Sequence, residues 1–206
     1  MRVRRRMFAF FMQTMNPGPA ATVVDVGVTS DQGQRESNFF EALYPHKDRI
    51  TAVGVDDASH LERLYPGLRF VRVSPAQRLP FSDGQFDIAF SNAVVEHAGN
   101  GAAQRFFVGE LVRVARRFFI TTPNRWFPVE THTGVPLLHF LPPRAYRAIL
   151  CRTGYGFFAE EANLNLLDAR SLAALFAECP VPVTIKRIRL AGFCSNLVAY
   201  GGRGDF

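Results

Sequence analysis

The chain alternates short, nearly unbroken apolar runs with stretches in which apolar residues recur every three or four positions. The runs fall at 22–26, 50–55, 68–73, 86–90 and 118–122. They are rich in Val, Ile, Phe and Thr, the composition of strands buried on both faces. Helical spacing occupies 36–44, 58–65 and 102–117. In the last of these, Phe106, Phe107, Leu111, Val114 and Ala115 fall on one stripe, with Arg and Glu between them. Strands that alternate with helices pair in parallel and carry helices on both faces of the sheet.

After 122 the pattern breaks. Residues 123–143 are rich in Pro, His and aromatics, too irregular for one element and too apolar for a disordered linker. An aromatic insertion at about 124–142 is therefore expected. Helical spacing returns at 143–152, with two prolines at its start where they are tolerated, and at 171–179 behind Asp168, a natural N-cap. Two strands close the chain, at 183–190 and 196–200. The link between them is too short for a crossover, so they pair antiparallel. The expected architecture is α/β, with five β/α units and a terminal hairpin.

Composition agrees with one globular domain. Of 206 residues, 48% are apolar and 20% charged, and 20 are Phe, enough for a sizeable core. No run approaches the roughly 18 apolar residues of a spanning helix. The three cysteines, Cys151, Cys179 and Cys194, lie too far apart for a disulfide framework or a CxxC site, which predicts a reduced, cytoplasmic compartment. The net charge of +6 is concentrated at one tip, in Arg2, Arg4, Arg5 and Arg6. The stripe of Lys and Arg with interleaved aromatics that nucleic acid requires is absent, so no nucleic-acid partner is expected. An apolar, aromatic stretch follows the tip. Residues 1–18 thus have two readings: an interfacial anchor giving peripheral membrane contact, or a first helix covering the domain formed by 19–206.

Ligands of open α/β sheets bind beyond the carboxyl ends of the strands. Asp25-Val26-Gly27-Val28-Thr29-Ser30-Asp31 ends the first strand and Asp56-Asp57 the second. Ala76-Gln77 follows the third, Asn92-Ala93 and Glu96-His97 the fourth, and Thr122-Pro123-Asn124 the fifth. In this order, Leu79-Pro80-Phe81, Phe86-Asp87, Glu96-His97 and Thr122-Pro123-Asn124 make the sequence from about Val23 to Gly201 resemble the class I S-adenosylmethionine-dependent methyltransferases, in the type 11-like branch with an LPF…FD…EH signature. The resemblance implies a Rossmann-like three-layer sandwich, with a seven-stranded mostly parallel sheet whose last strand is antiparallel. It also implies S-adenosyl-L-methionine as cofactor.

The first motif departs from the family. An acidic residue is usually followed there by Gly-x-Gly-x-Gly; Asp25 and Gly27 match, but Thr29 and Asp31 stand where the second and third glycines would be. A dinucleotide needs bare backbone beneath its pyrophosphate, so this loop and the absence of GxGxxG argue against a nicotinamide enzyme, the second rival reading. A methyl donor presents a carboxylate and an ammonium instead. Thr29, Ser30 and the backbone amides around Val28 offer donors for the carboxylate, and Asp31 is expected to pair with the ammonium. Asp56 is expected to accept the ribose hydroxyls, with Asp57 as its competitor; for either, the other reading is a cap for the helix behind it. By the resemblance, Ala76 and Gln77 lie beside the adenine, and Asn92 and Ala93 beneath the methionine portion.

Methyl transfer is an in-line displacement, to which a protein adds alignment and, for a hydroxyl acceptor, proton removal. His97 is the first candidate base. His132, with Glu130 two residues away to orient it, is the second. His139 reads as a core residue. The histidine spacing also fits metal ligands, but no third ligand is evident, so no metal is expected. Asn124, Arg125, Trp126 and Glu130 of the insertion are expected to meet the substrate. The predicted function is methyl transfer to an O or N atom of a small-molecule, sugar or lipid-linked acceptor. The altered glycine loop keeps open a catalytically silent methyltransferase fold that acts as a binding or scaffold protein.

Overall fold

In a computed structural model, which describes residues 2–31, 33 and 37–203, the apolar runs form seven strands. They are β1 (Val23–Val26), β2 (Ile50–Gly54), β3 (Arg69–Arg72), β4 (Phe86–Asn92), β5 (Ala115–Pro123), β6 (Val183–Leu190) and β7 (Phe193–Gly202). They make one sheet in the order β3-β2-β1-β4-β5-β7-β6. The first five pair in parallel, and β7 runs antiparallel to both β5 and β6. Strand order reverses between β1 and β4, the switch point at which such sheets open a crevice.

Alternation along β1 sends Val23 and Asp25 to one face of the sheet and Val24 and Val26 to the other. The first face is covered by α1 (Arg2–Met15), α2 (Phe39–Leu43) and α3 (His60–Leu64). The second is covered by α4 (Gly101–Val114) and α7 (Ala169–Ala174). Between β5 and β6, α5 (Pro143–Arg152) and α6 (Gly156–Ala159) build a small separate core on Tyr146, Leu150 and Ala159. Helix α1 lies on the sheet, with Phe11 and Met15 fully buried. The Phe11 ring meets Phe40, Phe90 and Phe119 edge-on at 5.1, 5.4 and 5.4 Å. Cutting such a ring back to Ala costs about 3–5 kcal/mol. Phe10 and Phe11, two of the aromatic residues that a membrane anchor would insert, are engaged with the sheet.

Several boundaries differ from the sequence expectation. The helix expected over 102–117 stops at Val114, because Ala115 and Arg117 pair with Phe86 and Ile88 of β4; strand pairing overrides the helical propensity of the arginines. The turn expected at 191–195 shrinks to Ala191 and Gly192, both at positive φ. This is the tight turn that matches strand twist, and it lengthens β7. β3 is not buried on both faces: Arg69 and Arg72 are exposed on this edge strand, where charge blocks further pairing. The four-residue helix α6 lacked a periodic signal. The expected helix start at Glu36 lies outside the described residues.

Two parts of the signature are fastenings. The amide of Leu79 donates to Glu110 Oε2 at 2.7 Å, and Arg113 donates to the carbonyls of Leu79 and Phe81, which clamps the Leu79-Pro80-Phe81 turn onto α4. Asp87 Oδ2 accepts from the amide and hydroxyl of Thr22 at 2.9 and 3.0 Å, which ties the start of β1 to β4. Glu96 and His97 lie past the end of β4, where Glu96 accepts from the Thr122 hydroxyl and His97 meets His132.

Candidate active site

A cavity of about 200 Å³ opens at the carboxyl ends of β1 and β4, on the α1/α2 side. Asp25, Gly27, Thr29, Asn38, Glu41 and Asn92 are among its lining residues. Gly27 is required where it stands. Its φ is +112°, and a β-carbon there would run into Val94 Cγ2. Its amide and that of Val28 donate to the Val53 carbonyl, which turns the chain sharply out of β1. Opposite, Ala93 sits at φ +56°, a strained conformation for a residue with a side chain. The Thr121 carbonyl, which accepts from the Ala93 amide at 2.9 Å, holds it there.

The loop after Gly27 is held by a side chain. Asn38 Oδ1 accepts from the Thr29 amide at 2.9 Å while Asn38 Nδ2 donates to the Thr29 carbonyl at 2.8 Å. This pairing does the work of a close backbone contact and accounts for a glycine-poor loop. It also commits the Thr29 amide, so that donor is unavailable to a ligand carboxylate, contrary to expectation. Val28, Thr29, Asn92 and Ala93 do line the cavity.

Asp31 does not. It is exposed, and its Oδ1 accepts from the Gly33 amide at 2.7 Å in a local turn. The acids that line the cavity are Asp25 and Glu41. Glu41 is fully buried, and neither of its carboxylate oxygens receives a donor from a fixed hydrogen bond. Its neighbour is Asp25. Burial, then the Glu41 charge, holds the Asp25 carboxyl well above the usual carboxylate range. Burial also raises Glu41, against the opposing pull of Lys47. Two acids so placed are relieved by a shared proton or by a cation. Glu41 was missed in the sequence, although an acid inside the apolar run Phe39-Phe40-Glu41-Ala42-Leu43 is the signal of a buried carboxyl.

Beyond the cavity the ligand-facing ends of β2 and β3 are open. Asp56 and Asp57 are both exposed and outside the lining. Asp57 Oδ1 accepts from the Ser59 amide at 2.9 Å, and that bond lowers its pKa, so its carboxylate serves the start of α3. Ala76 and Gln77 are exposed in a turn, with Ala76 at φ +56°.

A second acidic centre lies past the end of β4. His97, in the 3₁₀ turn Val95–His97, and His132, in the insertion, meet at 3.0 Å between their Nε2 atoms. His132 Nδ1 lies 2.6 Å from Glu130 Oε1, so the structure joins the pair that the sequence set two residues apart. Burial works to raise Glu130, but the hydrogen bonds from the His132 ring and amide bring it down to about 2. Burial works to lower His132, and Glu130 overrides it and raises it. A third group, not evident from the sequence, stands beside the two histidines. Glu96 is buried beside both histidines, and one of its oxygens, one atom of His97 and one of His132 lie within 4.8 Å of one another. The sequence displayed Glu96 in the signature, but the apolar residues before it gave no sign of which way it turns.

The remaining insertion residues are largely structural. Asn124 Nδ2 donates to the Cys194 carbonyl at 2.9 Å. Arg125 donates to the His139 and Leu141 carbonyls and lies over the Trp126 ring, so it is not held ready for an anionic substrate. Trp126 is 50% exposed, packed on Phe140, with its indole N–H 3.3 Å from Asp168. His139 is buried, as read from the sequence.

Sheet order defines a fold, and comparison supports it. Residues 31–117 match the family model of a methyltransferase domain, and the chain has the class I methyltransferase fold. Among solved structures it is similar to the 1,6-didemethyltoxoflavin-N1-methyltransferase of Burkholderia thailandensis, which was crystallised with S-adenosylhomocysteine. That match has 17% identity and a TM-score of 0.64, over 98% of this chain and 79% of that one. It is also similar to the geranyl diphosphate C-methyltransferase of Streptomyces coelicolor, at 14% identity and a TM-score of 0.63, over 98% and 80%. The YcgJ protein of Bacillus subtilis matches at 12% identity and a TM-score of 0.63, over 98% and 100%. No curated protein matches the sequence.

Proposed function

We propose that the protein is an S-adenosylmethionine-dependent methyltransferase acting on an O or N atom of a small-molecule, sugar or lipid-linked acceptor. The observation that carries this reading is the buried Asp25–Glu41 pair in the switch-point cavity, two acids whose carboxyls burial holds raised. The ammonium of an amino-acid ligand would be drawn to that pair, whereas a pyrophosphate would be repelled. A volume of about 200 Å³ is below the roughly 300–1,000 Å³ of complete ligand sites. It therefore takes the amino-acid end, and the nucleoside end lies over the open ledge, with Asp56 toward the ribose and Ala76 and Gln77 toward the base. When bound, S-adenosylmethionine supplies an electrophilic methyl group on a sulfonium centre.

The chain's own residues provide orientation and proton removal. Gly27 and the Asn38–Thr29 clasp fix the loop around the amino-acid end. His97 is exposed and its Nε2 meets that of His132, which Glu130 aligns, so the pair is positioned to take up the acceptor's proton. Trp126 and Phe140 offer the acceptor an exposed aromatic wall. Isothermal titration with S-adenosylmethionine and S-adenosylhomocysteine tests the reading: one micromolar site for each is expected. Absence of heat and of thermal stabilisation with both would remove the methyl-transfer account and leave a silent fold.

A further inference from the structure

The two histidines meet in a way that neutral imidazoles alone do not explain. The Asn163 carbonyl oxygen, which can only accept, lies 2.6 Å from His97 Nδ1, so this nitrogen carries hydrogen. Glu130 already accepts from the His132 and Thr133 amides and also lies 2.6 Å from His132 Nδ1, so that nitrogen carries hydrogen too. Each neutral ring then has its lone pair on Nε2, and the two Nε2 atoms face each other at 3.0 Å. Two lone pairs at that distance require an electrophile between them, either a proton or a metal ion.

A third donor favours the ion. Glu96 is fully buried. Its Oε2 accepts from the Thr122 hydroxyl at 2.9 Å, while its Oε1 has no hydrogen-bond partner. With one atom from each residue, the three groups lie within 4.8 Å of one another. Donors bound at the roughly 2.0–2.2 Å usual for zinc sit about 3–4 Å apart around a tetrahedral ion. The outer contacts are those of a metal site as well, since each histidine has its second nitrogen fixed, one by a carboxylate and one by a backbone carbonyl. We propose that Glu96, His97 and His132 bind a divalent transition-metal ion of the zinc type, with Glu130 and the Asn163 carbonyl as outer supports. His97 is exposed, so the ion keeps open positions toward solvent.

Binding of the ion stands independently of methyl transfer; its use rests on that reading. There it would hold an acceptor oxygen and lower the pKa of its proton. Without the ion, the neutral pair acts as a base by taking up one proton between its two Nε2 atoms.

The test uses the full chain, stripped with chelator and titrated with Zn²⁺ by calorimetry and with Co²⁺ by visible absorption. One equivalent of each is expected at micromolar affinity or tighter, with a Co²⁺ spectrum of low coordination number. His97→Ala and His132→Ala should each abolish the spectrum. Glu130→Gln, which preserves volume, should weaken Zn²⁺ binding about 10–100-fold. Glu96→Gln should alter the spectrum while thermal unfolding shows the chain still folded. A stripped protein that takes up neither ion, or uptake unchanged in both histidine variants, overturns the proposal. S-adenosylmethionine titrated in parallel separates the two claims: donor binding without metal uptake sinks the ion alone, and metal uptake without donor binding sinks the methyl-transfer reading alone.

Discussion

Two buried acidic centres flank the carboxyl end of β4, and they are neutralised in opposite ways. Asp25 and Glu41 face each other, and both are raised, foremost by burial. Glu130 is buried as deeply, at 3% exposure, yet it is brought down to about 2 because the His132 ring and two amides converge on it. Burial alone does not set the charge state; the donors arranged around the carboxyl do. Under the proposed function, the first centre receives a positive group from the ligand and the second carries its own.

The contrast is broken most severely at the second centre. Glu130→Ala removes the acceptor of three hydrogen bonds and leaves the His132 ring without its partner. Deleting one member of a buried pair costs about 3–5 kcal/mol, which chemical denaturation would register as a clear fall in midpoint. A loss under about 1 kcal/mol would mean that the carboxylate is not the anchor of this centre.

The first centre should respond with the opposite sign. Glu41→Gln keeps the volume and removes a carboxyl whose ionisation the fold opposes. For carboxyls raised in the native state, the folded chain holds protons that the unfolded chain has lost, so stability declines as pH climbs from the ordinary carboxylate value of about 4 to the raised native one. The Gln variant should therefore be more stable than the parent at pH 8, by about 1 kcal/mol or ~2–4 °C in Tm, and no different at pH 4. Its affinity for S-adenosylmethionine should fall about 10–100-fold, the range for losing a hydrogen bond to a charged group. Greater stability with unchanged affinity would detach the acid pair from ligand binding.

The sequence carried the sheet well and the site unevenly. Strands buried on both faces announce themselves by composition, so β1, β2, β4 and β5 were legible, and the short link before β7 gave its direction. Gly27 was legible because its backbone demands it. Glu41 and Asn38 were not, since their roles depend on how α2 sits over β1, a contact between segments that no local pattern encodes. His97 and His132 were read as separate candidates; they lie 35 positions apart, and only the fold of the insertion brings their Nε2 atoms together. Leu79-Pro80-Phe81 and Asp87 helped to identify the fold, yet they turn out to fasten α4 and β1. A recognisable motif thus locates a fold without showing which of its residues do chemistry.

The smallest effect sharpens the comparison from outside both centres. Asp31 occupies the third glycine position of the motif and is the acid that spacing nominated for the ammonium. Its carboxylate instead closes a turn on the Gly33 amide, exposed to solvent, and its own amide donates to the Thr29 hydroxyl. An exposed substitution away from buried contacts stays within about 0.5 kcal/mol. Asp31→Ala should therefore leave unfolding nearly unchanged and shift the affinity for S-adenosylmethionine no more than about twofold, beside the large loss expected for Glu41→Gln. Were the two losses equal, the ammonium would be shared with the loop, and the burial of Asp25 and Glu41 would no longer be what distinguishes the ligand-holding centre.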